Sequence, residues 1–148
     1  MEKFLPDSYL KIILNSQGVH FWRNFYIKKG DRKEDILENG DLSCAFFVST
    51  ILLIFGLIDK VHFTVEGTFK AMKQKGWREI KKLKPGSVLI WEKQKGHKHI
   101  GFFIGKNSTI SNLAKSKTPQ RHHLTFGKTK KGQPIRKIEK ILWHKKLK

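Results

Sequence analysis

Cys44 is the only cysteine in the chain, and its neighbours decide what it could do. A thiol attacks a carbonyl carbon only as the thiolate, and a free cysteine has a pKa of about 8.5. The apolar run Cys44–Phe55 follows Asp41-Leu42-Ser43. With Asp41 or Ser43 as the N-cap, it predicts a helix carrying Cys44 in its first turn. The positive end of a helix dipole favours a thiolate there. Free backbone N–H groups, that of Cys44 included, can hold the oxyanion of a tetrahedral intermediate. Such a nucleophile needs an imidazole as base and then acid, and His99 opens a strand-like run. A third polar group should hold the imidazole tautomer; the next strand-like run, Thr109–Leu113, offers Ser111 and Asn112. Flanked by Ala45, Phe46 and Phe47, Cys44 taken alone also reads as a small core residue. The conjunction with His99 carries the chemical reading.

The elements that must position these groups belong to one domain, because 148 residues divided in two would leave each half a poor core. A 39% hydrophobic and 11% aromatic composition excludes global disorder. One cysteine excludes an internal disulfide and argues against a cysteine zinc site. His97-Lys98-His99 has no acidic residue near it in sequence, so no metal and no other cofactor is expected. The net charge of +19 is uneven: residues 93–148 hold 16 basic residues and a single acid, Glu139. That third attracts polyanions, whether nucleic acid or an anionic wall polymer. The longest apolar stretch, Ala45–Ile58, spans 14 residues, short of the ~20 a bilayer requires. Met1–Pro6 lacks the apolar core of a signal peptide. The expected location is the cytoplasm, or outside the cell by a route without a cleavable signal.

Along the chain, residues 7–17 predict a short helix capped by Asp7 or Ser8, with Leu10, Ile13 and Leu14 on one face. Residues 20–28 read as extended and 28–35 as a charged loop. A helix follows from about Thr64 to Gly76, capped by Thr64. After the Lys84-Pro85-Gly86 turn come four strand-like runs: Ser87–Trp91, His99–Ile104, Thr109–Leu113 and Ile135–Trp143. Residues 114–134, basic and punctuated by Pro and Gly, read as irregular. The layout is α+β, N-terminal helices before an antiparallel sheet. Within the single domain 1–148, residues 1–38 form an N-terminal extension, 39–113 a catalytic core, and 114–148 a basic loop with the final strand.

Three segments together resemble one family. Cys44-Ala45-Phe46-Phe47-Val48, Lys84-Pro85-Gly86-Ser87-Val88-Leu89-Ile90-Trp91 and His99-Ile100-Gly101-Phe102-Phe103-Ile104-Gly105 follow the order of the NlpC and CHAP branch of the papain-like cysteine peptidases. The similarity covers roughly residues 40–113. It implies a papain-like fold with the cysteine helix packed on an antiparallel sheet. It also implies an amidohydrolase or endopeptidase acting on peptides, mostly bacterial peptidoglycan stem peptides. Cys44 would be the nucleophile and His99 the base. The position that orients the imidazole falls on Ser111 or Asn112. Asn112 is preferred, since an amide accepts well from an imidazole N–H; His122 or His123 would serve if the basic loop folds back. Ser43, Trp91, Ser111 and His123 are placed around the substrate; Trp91, at a strand end near the loop before His99, reads either as a cleft wall or, the favoured reading, as a core or rim residue. The family often has Asp before and Ser after the cysteine, where this chain has Ser43 and Ala45. A monomer acting on a peptide or peptidoglycan, with anionic polymer held by residues 93–148, is the expected form. The competing reading is a non-enzymatic basic module that binds a polyanion.

Overall fold

The computed structural model describes residues 1–2 and 4–148. It is α+β, with three α-helices, a two-stranded hairpin and a six-stranded antiparallel sheet. Helix α1 (Leu5–Asn15) starts earlier than the Asp7 or Ser8 cap predicts, and Phe4 at its N-cap makes no side-chain bond. Pro6 explains the start: it lacks a backbone N–H, and the first turn of a helix does not need one. Tyr9 and Ile13 of α1 are buried in the main core, so this helix packs against the rest of the fold. Residues 28–35, read from sequence as a loop, belong largely to a hairpin of β1 (Tyr26–Lys29) and β2 (Arg32–Asp35) turning at Gly30. Its strands are mostly exposed, so no apolar alternation marks them.

Helix α2 (Cys44–Ile54) buries seven of its eleven residues, as a helix apolar on all sides must. Ser43 stands at its N-cap without a side-chain hydrogen bond. Helix α3 (Val65–Gln74) is capped by Thr64, whose hydroxyl accepts from the Gly67 N–H at 3.0 Å.

The sheet runs β3 (Arg78–Glu79), β8 (Ile138–Trp143), β4 (Val88–Gln94), β5 (His97–Gly105), β6 (Ser108–Leu113), β7 (Thr118–His123). Strand β7 lies inside the segment expected to be irregular, and it pairs along its whole length with β6. Pro119 removes one N–H from β7 and is tolerated because this strand is the sheet edge. Val88, Ile90, Ile100, Phe102 and Ile110 face the core shared with α1 and α2. Leu89, Trp91 and Phe103 face the other way, beneath Leu124, Phe126, Ile138 and Ile141. The segment after β7 therefore covers the second sheet face. Among the described residues no helix is long and apolar enough to cross a membrane.

Candidate active site

Cys44 is the first residue of α2 and lines a cleft of about 760 Å³ that also includes His99, Asn112, Phe126 and Arg136. The backbone N–H groups of Ile100, Ala45 and Cys44 itself favour a thiolate at the sulfur. Burial outweighs them and the nearby Arg136 charge, so the thiol lies above its ordinary value. The resting group is a neutral thiol that needs a base.

His99 belongs to the sheet face of Trp91, its register partner on β4. Its Nε2 lies 2.8 Å from Ser111 Oγ, and Ser111 Oγ lies 2.6 Å from His122 Nε2. The proton order in this chain follows from its far end. His122 Nδ1 is 2.8 Å from the His123 carbonyl oxygen, which can only accept. Nδ1 thus carries the proton of a neutral His122, and Nε2 accepts. The Ser111 hydroxyl donates to His122 and accepts from His99. His99 is therefore the Nε2–H tautomer, with the basic lone pair on Nδ1. Burial, reinforced by the Arg136 charge and by the repulsion two charged imidazoles would feel, lowers His99 to about 3. Burial lowers His122 as well. Both imidazoles are neutral at physiological pH. No hydrogen bond joins His99 to the Cys44 sulfur among the described residues; the side-chain partner of His99 is Ser111.

Trp91 is fully buried and does not reach the cleft. It backs the two imidazoles instead, at ring-centroid distances of 5.4 Å from His99 and 5.6 Å from His122. Its indole N–H donates to the Leu124 carbonyl at 2.8 Å. That bond ties down the segment that brings Phe126 flat against His122, 4.1 Å between centroids. Of the two readings of Trp91, the structure shows the core one: the indole is a floor under the imidazoles rather than a wall of the cleft.

The residue beside the imidazole is Ser111 rather than Asn112. Asn112 lies on the α2 side of β6 and donates to the Gly40 carbonyl at 3.0 Å, which fastens the turn ahead of Cys44 to the sheet. Gly40 has φ +96°, and a side chain there would strike Lys117, with a Cβ 2.8 Å from Lys117 Cβ. Ser43 is buried behind the helix start and lies off the cleft. His123 is exposed and also off the cleft; its Nδ1 accepts from the backbone N–H groups of Thr125 and Gly127, shaping the turn that carries Phe126. Neither is positioned to touch a substrate in the cleft.

Sequence reasoning passed over Arg136, which lies just before β8 and lines the cleft. Its Nε donates to the Glu92 carbonyl at 2.8 Å and its Nη2 to the His97 carbonyl at 2.6 Å, so backbone oxygens lock the guanidinium plane. One arginine in a Lys-rich tail carries no spacing signal that could single it out. Gly101 was also overlooked, and its requirement is steric: a Cβ there would stand 2.6 Å from Ser111 Cβ. No group of three or more His, Cys, Asp or Glu side chains is placed to hold a metal among the described residues. Comparisons with known protein families and with curated proteins find no match to this chain.

Proposed function

We propose that the chain is a cysteine amidohydrolase or endopeptidase with a papain-like site, cleaving an amide bond in a peptide. The resemblance to the NlpC and CHAP branch makes bacterial cell-wall stem peptides the substrate class. The observation that supports this best is that the helix-start Cys44 shares a cleft with an imidazole whose tautomer is set by a Ser111–His122 chain. In the reaction His99 Nδ1 takes the thiol proton and Cys44 Sγ bonds to the carbonyl carbon. The oxyanion is met by the Cys44 N–H at the helix start. His99 then gives its proton to the leaving amine nitrogen as the C–N bond breaks, and water releases the acyl group from sulfur.

Three donors around the sulfur lower the cost of the thiolate as it forms. Ser111 supports the imidazolium by accepting from Nε2–H. The test is hydrolysis of muropeptides by the wild type and by Cys44→Ala. The variant is expected to fold normally and cleave nothing; full activity in it overturns the proposal.

The charge of residues 93–148 supports a second role beside the first. Of the basic residues only Lys75, Lys98, Lys117 and Lys140 form ion pairs among those described. Within residues 93–148 the lysines other than Lys98, Lys117 and Lys140 form no ion pair and can hold an anionic polymer, with an affinity that falls steeply with salt. Salt-dependent retention on nucleic acid and on an anionic wall polymer distinguishes the partners.

A further inference from the structure

We infer that Arg136 is a carboxylate-binding subsite, and that the substrates of this cleft carry a carboxylate close to the scissile amide. The inference rests on the amidohydrolase reading and narrows its substrate class. Arg136 has no acidic partner within ion-pair distance among the described residues: the four ion pairs of the fold all involve lysine. The Glu92 charge favours the guanidinium cation from beyond ion-pair distance, but a half-buried guanidinium without a direct carboxylate partner is still costly, and it cannot escape by losing its proton. Here the two carbonyl bonds use two of its five N–H groups and fix the plane, leaving three donors in a cleft that also holds the nucleophile. A pre-set fork of this kind matches the two oxygens of a carboxylate. Lys93 lines the same cleft and adds to the positive field, while Glu66 is the acid on the wall without an ion-pair partner.

The charge of Arg136 also bears on both reacting groups. It favours the Cys44 thiolate and disfavours the His99 imidazolium. The attack needs the first effect, but proton delivery to the leaving amine needs a charged imidazole. A bound carboxylate offsets the guanidinium and so weakens both effects together: it eases the charging of His99, on which burial remains the larger penalty, and it lessens the support of the thiolate.

The test needs no peptidase activity. Iodoacetate and iodoacetamide both alkylate a thiolate, forming an S–C bond with loss of iodide, and they differ in one carboxylate. The rate ratio of iodoacetate to iodoacetamide at Cys44 is measured in the wild type, Arg136→Gln and Arg136→Lys. The ratio should fall about 10- to 100-fold in Arg136→Gln, the range of a charge-assisted hydrogen bond, with Arg136→Lys between. An unchanged ratio in folded Arg136→Gln overturns the subsite. Because Arg136 also holds the Glu92 and His97 carbonyls, a second measurement uses the wild type alone. A stem tripeptide with a free α-carboxylate and its carboxamide twin compete with iodoacetamide for Cys44. The acid should protect at lower concentration, and equal protection overturns the subsite. If these carboxylate effects appear while no peptide is cleaved, the hydrolase reading fails and the subsite stands. If acid and amide peptides are cleaved equally, the subsite fails and the hydrolase reading stands.

Discussion

Replacing Gly101 by alanine puts a methyl group where β5 and β6 leave no room for one. The new Cβ would stand 2.6 Å from Ser111 Cβ, 2.9 Å from the Ile110 carbonyl oxygen and 3.2 Å from Trp91 Cζ3. Ordinary contact begins at 3.4 Å, and Gly101 does not have a left-handed φ, so the cost is contact alone. The strands must part by about 0.8 Å at this pair, which stretches the 2.8 Å His99–Ser111 bond to about 3.6 Å, outside hydrogen-bond range. Overpacking of this kind costs about 1–3 kcal/mol. For a chain of this length that lowers Tm by about 2–12 °C. Losing a hydrogen bond to a forming imidazolium costs about 1.5–3 kcal/mol, or about 10- to 150-fold in kcat. The assay is stem-peptide hydrolysis beside thermal melting, on Gly101→Ala, Ser111→Ala and the double variant. The two single variants should lose a similar factor of kcat, and the double variant no more than either, because both break one bond. Wild-type kcat in a folded Gly101→Ala protein, or losses that multiply in the double variant, would refute the role given to Ser111.

Three other outcomes follow from the same geometry. The His99 imidazole lies at about 3 in the fold against an ordinary 6.5, so the unfolded chain binds more protons between those values. Its contribution to stability is complete above 6.5 and is lost as pH falls toward 3; Tm measured across that window should fall less in His99→Gln than in the wild type. His122→Leu frees the Ser111 hydroxyl to turn, so the tautomer of His99 is no longer specified. We expect kcat to fall about fivefold, from about 1 kcal/mol, with KM unchanged in steady-state kinetics. Asn112→Ala leaves the Gly40 carbonyl without its side-chain donor, which should cost about 1–3 kcal/mol in urea unfolding while kcat falls far less than in Ser111→Ala.

The sequence by itself determined the α+β layout and which elements carry the candidate residues Cys44 and His99. The apolar run Cys44–Phe55 is longer than a strand usually is and so reads as a buried helix, which places Cys44 at its start. The short apolar runs after Lys84-Pro85-Gly86, separated by turn residues, read as antiparallel strands, and one of them carries His99. These are local consequences of side-chain period and turn chemistry. Which polar group meets His99 is a question of register, and tertiary structure decided it. Gly105 pairs with Ser108 at the turn; continued unchanged, that register sets Asn112 opposite Gly101, on the face of His99. A bulge between Phe103 and Gly105 slips the pairing by one residue. Ser111 then turns toward His99, and Asn112 toward α2 and Gly40. The arrival of His122 depends on β7, whose Thr118-Pro119-Gln120-Arg121-His122-His123 has no strand-like alternation and is ordered by the edge it joins. Arg136 reaches the cleft because the chain returns through β8 on the other side of β4, a contact 92 residues from Cys44 that no local pattern encodes.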